Sequence, residues 1–183
     1  MRPALISRVQ VLDATLRLAS EKGLSAVTMR SVATRLGVSP MALYRHVGDK
    51  QGLLDGLVER LMTEVAGAVE NADEDWRVPL RGLAANMRRT ARRYPDLFVL
   101  LFQRRAVTPG AVAARDAVYR ALRAAGVAEP ELDRLERMIS TFMLGFAASE
   151  AGGRFAGIDA DAEFRYAEER IEQLITAAVE TDR

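Results

Sequence analysis

The stretch from Thr28 to Lys50 is where residue types and spacing could do chemistry, and the chemistry is contact between a helix and a nucleic-acid duplex. Ser39-Pro40 can open a short helix on which Leu43 and Val47 share one face, leaving Pro40, Met41, Ala42, Tyr44, Arg45 and His46 on the other. A helix presented this way fits the roughly 12 Å width of the major groove, and its N-terminal residues reach base edges. Tyr44 offers a hydroxyl and Lys50 an ammonium to backbone phosphates. Lys50 also stands at the start of the next helix, where free N–H groups add positive potential. Thr28, Arg30 and Ser39 flank this face, Thr28 as the cap of the preceding helix.

Other chemistries find less support. His46 is the only histidine and there is no cysteine, which argues against the usual zinc sites and against any thiolate nucleophile. A Ser-His-Asp arrangement would have to place its base on the groove-facing helix. No phosphate loop and no nucleophile elbow occurs. The reading is a chain with no catalytic residue, metal site or cofactor. Asp73, Glu74 and Asp75 are expected to complement a helix N-terminus rather than to hold a metal. Arg88, Arg89, Arg92 and Arg93 read as a solvated helix face. Met87, Phe98, Phe102, Met138, Phe142, Met143 and Phe146 form an apolar, aromatic and methionine-rich set. They read either as plain core or as the lining of a ligand cavity between helices.

The elements that position these residues are all helical. Val9, Leu12, Leu16 and Ala19 mark a first helix stopped by Gly23, and Thr28 caps a second. Ala33 supplies the small contact that two steeply crossing helices need, and Gly37 the left-handed turn between them. Val32, Leu36, Val38, Leu43 and Val47 form the shared core. A fourth helix is expected from Lys50 to about Val69, then a polar break at Asn71–Asp75 and a fifth helix cut at Pro95. Pro95 starts a short sixth, Thr108-Pro109 a seventh, and Pro130 an eighth whose stripe is Leu132, Leu135, Ile139, Phe142 and Phe146. Phe164, Ala167, Ile171, Leu174 and Ala178 mark a ninth.

The fold class is therefore all-α: a three-helix helix-turn-helix head over residues 1–50 and a helical-bundle body over 51–183, about nine helices in all. Residues 1–50 hold eight basic and three acidic side chains, a balance of +5, whereas the whole chain carries only +1. A basic head on an acidic body suits a polyanionic partner at one end. With 49% hydrophobic and 28% charged residues the composition is that of an ordinary globular chain. No apolar run approaches the roughly 18 residues of a membrane span, and the N-terminus lacks a signal-peptide apolar centre, so a cytoplasmic location is expected.

Ala19, Gly23, Thr28, Arg30, Ala33, Leu36-Gly37-Val38-Ser39, Leu43-Tyr44, His46-Val47, Lys50 and Leu53-Leu54 stand in the order and spacing of a known DNA-binding segment. In these positions the chain resembles the tetracycline-repressor (TetR) family of bacterial regulators. Farther on, only the helical layout and Trp76 resemble the tetracycline repressors themselves. The resemblance implies phosphate contacts at Tyr44 and Lys50 and the beginning of groove contacts at Arg30. It implies a homodimeric repressor on a pseudo-palindromic double-stranded DNA operator, released by a small molecule held in the body. The effector is expected to be apolar and metal-free, because the body has no histidine to recognise a tetracycline–magnesium complex. Asn86, Gln103 and Thr141 are candidates for orienting it. Pairing is expected through the last two long helices, with Gly145, Ala147, Ala148, Ala167 and Ala178 allowing close approach. An interaction protein that keeps the scaffold without binding DNA stands as the alternative, and carboxylate-only catalysis as a third.

Overall fold

The computed structural model describes residues 6–67, 75–104 and 107–181. Ser7 opens α1 (Arg8–Lys22) through a reciprocal capping box: the Gln10 N–H donates to Ser7 Oγ at 3.2 Å and the Ser7 N–H to Gln10 Oε1 at 2.8 Å. A single 3₁₀ turn, Leu24–Ala26, leads to Thr28, which caps α2 (Met29–Leu36) in partnership with Ser31. Pro40 sits in the first turn of α3 (Pro40–Val47), where its missing N–H costs nothing. Asp49 caps α4 (Lys50–Ala66) by accepting from the Gly52 N–H at 2.9 Å.

The body comprises α5 (Arg77–Arg93), α6 (Pro95–Phe98), α7 (Leu100–Gln103), α8 (Pro109–Ala125), α9 (Glu129–Ala151) and α10 (Ala160–Thr181). Among the described residues there is no strand. The expected sixth helix is two four-residue segments parted at Val99. The stretch beyond Gly67 that was expected to extend the fourth helix, and the polar break at 71–74, lie outside the described residues. Asp75 does complement a helix start, accepting from the Arg77 N–H at 3.0 Å.

Helix α4 joins head and body, packing on α1 and α3 on one side and on α5, α7 and α8 on the other. Its first half closes the head against α1 and α3, and its second half packs on α5 and α8. Close approach depends on glycines at the crossings. Gly56 lies directly beneath Leu12 of α1, and a Cβ at Gly110 of α8 would stand 2.7 Å from the Thr63 nitrogen and 2.8 Å from the Met62 carbonyl carbon. Thus α4 and α8 meet backbone to backbone.

Two apolar stripes run in a different register from that expected. Val9 faces solvent, and α1 buries Val11, Ala14 and Leu18 along with Leu12, Leu16 and Ala19. The inward row of α9 is Leu132, Leu135, Ile139, Met143 and Ala147, which turns Phe142 outward. Arg88 is not part of a solvated face. Its guanidinium pairs with Glu150 (2.5 Å) and Asp161 (2.6 Å) over the ring of Phe164, tying α5 to α9 and to the first turn of α10. Those two carboxylates raise the Arg88 pKa above its ordinary value, the hydrogen bond to Glu150 being the larger cause.

Gly110→Ala should lower stability by about 1–3 kcal/mol, because backbone atoms of α4 cannot yield as a side chain would. Gly82→Ala, in the middle of α5 with open space at its Cβ, should raise stability by about 0.5–1 kcal/mol. Urea unfolding checks both, as opposite shifts in midpoint at unchanged slope.

Candidate nucleic-acid interface and effector cavity

The turn between α2 and α3 is set by Gly37, whose φ of 67° and ψ of 31° are left-handed. With the Val38 N–H bonded to Ala33 O at 3.1 Å and the Gly37 N–H to Thr34 O at 3.2 Å, α2 ends and α3 departs across it. Val32, Ala33 and Leu43 are fully buried where the helices cross, and Leu36, Val38 and Val47 pack around them. Fixing Leu43 inward fixes the opposite side outward. Met41 is 73% exposed, and Pro40, Tyr44 and Arg45 are exposed beside it. Ala42 and His46 are half-buried at the margins.

Lys50 is exposed on the first residue of α4, and Ser39 and Arg30 are exposed on the approach to the face. The Ser39 hydroxyl makes no capping bond. Thr28 differs: it is exposed, but its Oγ1 is engaged with the Ser31 N–H at 3.0 Å and with Ser31 Oγ at 2.9 Å. Arg8 and Arg35 are tied to Glu59 and Glu21, each at 2.6 Å, whereas Arg30, Arg45 and Lys50 form no ion pair among the described residues. These three cations are thus open to phosphates.

The body is hollow. A cavity of about 170 Å³ lies between α4, α5, α7, α8 and α9. Met62 and Val65 of α4 form one wall, with Leu83 and Met87 of α5 and Ile139 and Met143 of α9 facing them. The described lining has no aromatic ring; its polar side chains are Arg115, Glu136 and Ser140.

Of the seven side chains expected around a cavity, only Met87 and Met143 line it. Phe98 is fully buried in the core. Phe146 turns toward the α9–α10 connection, its ring meeting Phe155 edge-on at 4.9 Å and lying 5.7 Å from Phe164. Phe102, Met138 and Phe142 face outward, Phe142 at 46% exposure. Asn86 instead donates to Val65 O at 3.1 Å, and Gln103 and Thr141 are exposed. Glu136, Ser140 and Arg115, which give the cavity its polar end, were not among the residues expected there. The one signal for Glu136 was a charge set on the same inward row as Leu132 and Ile139.

A helix-turn-helix head whose closing helix continues as the wall of a hollow helical body defines a class of DNA-binding regulator. The family described as "Bacterial regulatory proteins, tetR family" matches residues 11–57, and "Tetracyclin repressor-like, C-terminal domain" matches residues 69–182. The chain belongs to the tetR family of bacterial regulatory proteins. It is 32% identical over 177 residues to the class C tetracycline repressor of Escherichia coli, covering 96% of this chain and 76% of that one. It is 31% identical over 141 residues to the transcriptional repressor DrrR1 of Streptomyces coeruleorubidus, covering 77% of this chain and 52% of DrrR1. The chain thus spans about half the length of that relative. The fold is that of apo ActR from Streptomyces coelicolor, with a TM-score of 0.84 at 20% identity over 99% of this chain and all of the other. Solved neighbours include ActR with actinorhodin and BioQ with its double-stranded DNA operator.

Lys50→Ala should weaken binding to every DNA sequence alike and flatten the dependence of log K on log salt by about one unit for each bound head. Substituting Met41 or Arg45 should instead change which sequence is preferred. Anisotropy titrations at several salt concentrations, with a selected duplex and a scrambled one, separate the two behaviours.

Proposed function

We propose that this protein is a sequence-specific DNA-binding transcriptional repressor that acts as a homodimer and is released by a small, largely apolar effector held in the body cavity. One observation carries the reading. The helix that follows the groove-facing α3 after a two-residue turn is the same helix whose Met62 and Val65 form a cavity wall. Residues 1–50 act as the DNA-binding head and 51–183 as the effector and dimer body, α4 being common to both. The protein works without catalytic residue or cofactor, in the cytoplasm where its operator lies.

The effector acts by differential affinity. It favours a body state in which the cavity is filled and α4 displaced, and the recognition helices leave the spacing of successive major grooves. A ligand with equal affinity for both states would release nothing. Support for the two partners comes from structures of the same fold, one solved with an operator and another with a small molecule.

A head this small reads only a few base pairs, so tight binding needs two half-sites about 34 Å or a multiple apart. The outward faces of α9 and α10 supply the pairing surface: Met138, Phe142 and Leu174 are exposed, and Gly145 has open space at its Cβ. Ala147 and Ala167, expected at that surface, are buried within the chain instead.

Operator fragments retained by the purified protein from sheared genomic DNA should share a pseudo-palindrome. Phe142→Glu should yield a folded monomer by light scattering, with operator affinity reduced at least tenfold. A Phe142→Glu protein that stayed dimeric, or bound the operator undiminished, would contradict this assembly.

A further inference from the structure

Glu136 is buried, at 8% exposure, and stands on the cavity wall; Glu150, whose side chain is as deeply buried, is satisfied by Arg88, whereas Glu136 has no such close partner among the described residues. A carboxylate out of water needs its oxygens satisfied, and each has more than one lone pair to offer. Within hydrogen-bond distance Glu136 Oε1 accepts only from the Ser140 hydroxyl, at 3.0 Å and one helical turn along α9. Arg115 Nε stands 3.8 Å away, too far for a direct bond, and more than half of the Arg115 side chain is in solvent. The wall therefore holds a carboxylate with acceptor capacity left over, opposed by a cation that stands beyond hydrogen-bond distance and is half in solvent. Apart from Ser140 and Arg115, the described lining of the cavity is aliphatic or thioether, with Met62, Leu83, Met87, Ile139 and Met143 among it.

Resting on the reading that this cavity is the effector site, we infer that the cavity selects a protonated amine on a compact, non-aromatic hydrocarbon frame. The ammonium group seats between Glu136 and the Ser140 hydroxyl, both of which can accept from it, and displaces Arg115 toward solvent. Such a bond is charge-assisted and gains strength beside apolar walls. The hydrocarbon frame fills the space between α4 and α9. At about 170 Å³ the cavity takes one six-membered ring with a short arm. Methionines on three of the walls let it adapt to branched shapes, and the absence of a ring in the described lining removes any preference for flat ones.

The effect of this arrangement is chemical discrimination at one polar position. An anion of the same shape meets the buried carboxylate and is rejected. A neutral hydrocarbon fills the walls but leaves Glu136 as unsatisfied as before.

The test uses the full-length protein and four compounds sharing one frame: cyclohexylmethylamine, cyclohexylmethanol, methylcyclohexane and cyclohexanecarboxylate. Titrations followed by the methyl signals of ¹³C-methionine report cavity occupancy directly, since Met62, Met87 and Met143 line it whereas Met41 is on the DNA face. The amine should bind at least tenfold tighter than the alcohol or the hydrocarbon, and the carboxylate weakest. Glu136→Gln should abolish the amine's advantage while hydrocarbon binding persists, and Arg115→Ala should strengthen the amine. Equal binding of amine and carboxylate to the unsubstituted protein, or an amine preference that survives in Glu136→Gln, overturns the amine assignment and leaves the cavity as effector site. Failure of all four compounds to move the Met62, Met87 and Met143 signals overturns the cavity reading itself.

Discussion

The structure depends on backbone-close packing along a single helix. At its start α4 is pressed under the end of α3, where Gly52 faces the Val47 carbonyl. One turn later Gly56 admits Leu12 of α1, and farther on the backbone at Met62 and Thr63 meets Gly110 of α8. Side chains could absorb a small displacement by changing rotamer, but backbone against backbone cannot. A shift of α4 at one end is therefore transmitted to the other. The head moves with the helix because Leu53 and Leu57 are fully buried in its core.

Polar ties reinforce this frame at places where it could otherwise slide. Arg104, just after α7, reaches back to Asp55 and Gln51 near the start of α4, so the segment that carries the cavity residue Leu101 is held to the part of α4 nearest the head. Arg8 with Glu59, and Arg60 with Asp13 at 2.7 Å, bind α1 along the same helix. Exposed pairs of this kind add little stability one by one. Their value lies in fixing which helices move together. On the far side, Arg88 ties α5, α9 and the start of α10 together.

The head was legible in the sequence because its determinants are local. Thr28, Gly37, Ser39-Pro40 and Lys50 each mark a helix end or turn within a few residues, and burying Leu43 decides which face of α3 is left exposed. The body was legible in helix order but not in register. Helix α9 carries two apolar rows, and the aromatic one, Phe142 with Phe146, drew the inward assignment that belongs to Met143 and Ala147. Large rings suggest a core, yet here they serve a helix connection and an outer face. The polar end of the cavity was hidden for a different reason. Arg115 and Glu136 come from different helices, and no spacing along the chain brings them to 3.8 Å.

In the proposed function, filling the cavity repositions the two heads through α4. The chain has no cysteine, so Arg17→Cys, at an exposed position of α1, places a single spin label on each head. Pulsed electron–electron distance measurement on the dimer should give one narrow distribution with operator bound. Addition of cyclohexylmethylamine, to the point where the Met62 and Met143 methyl signals have shifted, should move the mean distance and release the DNA. An unchanged distribution with the cavity demonstrably filled would contradict the account.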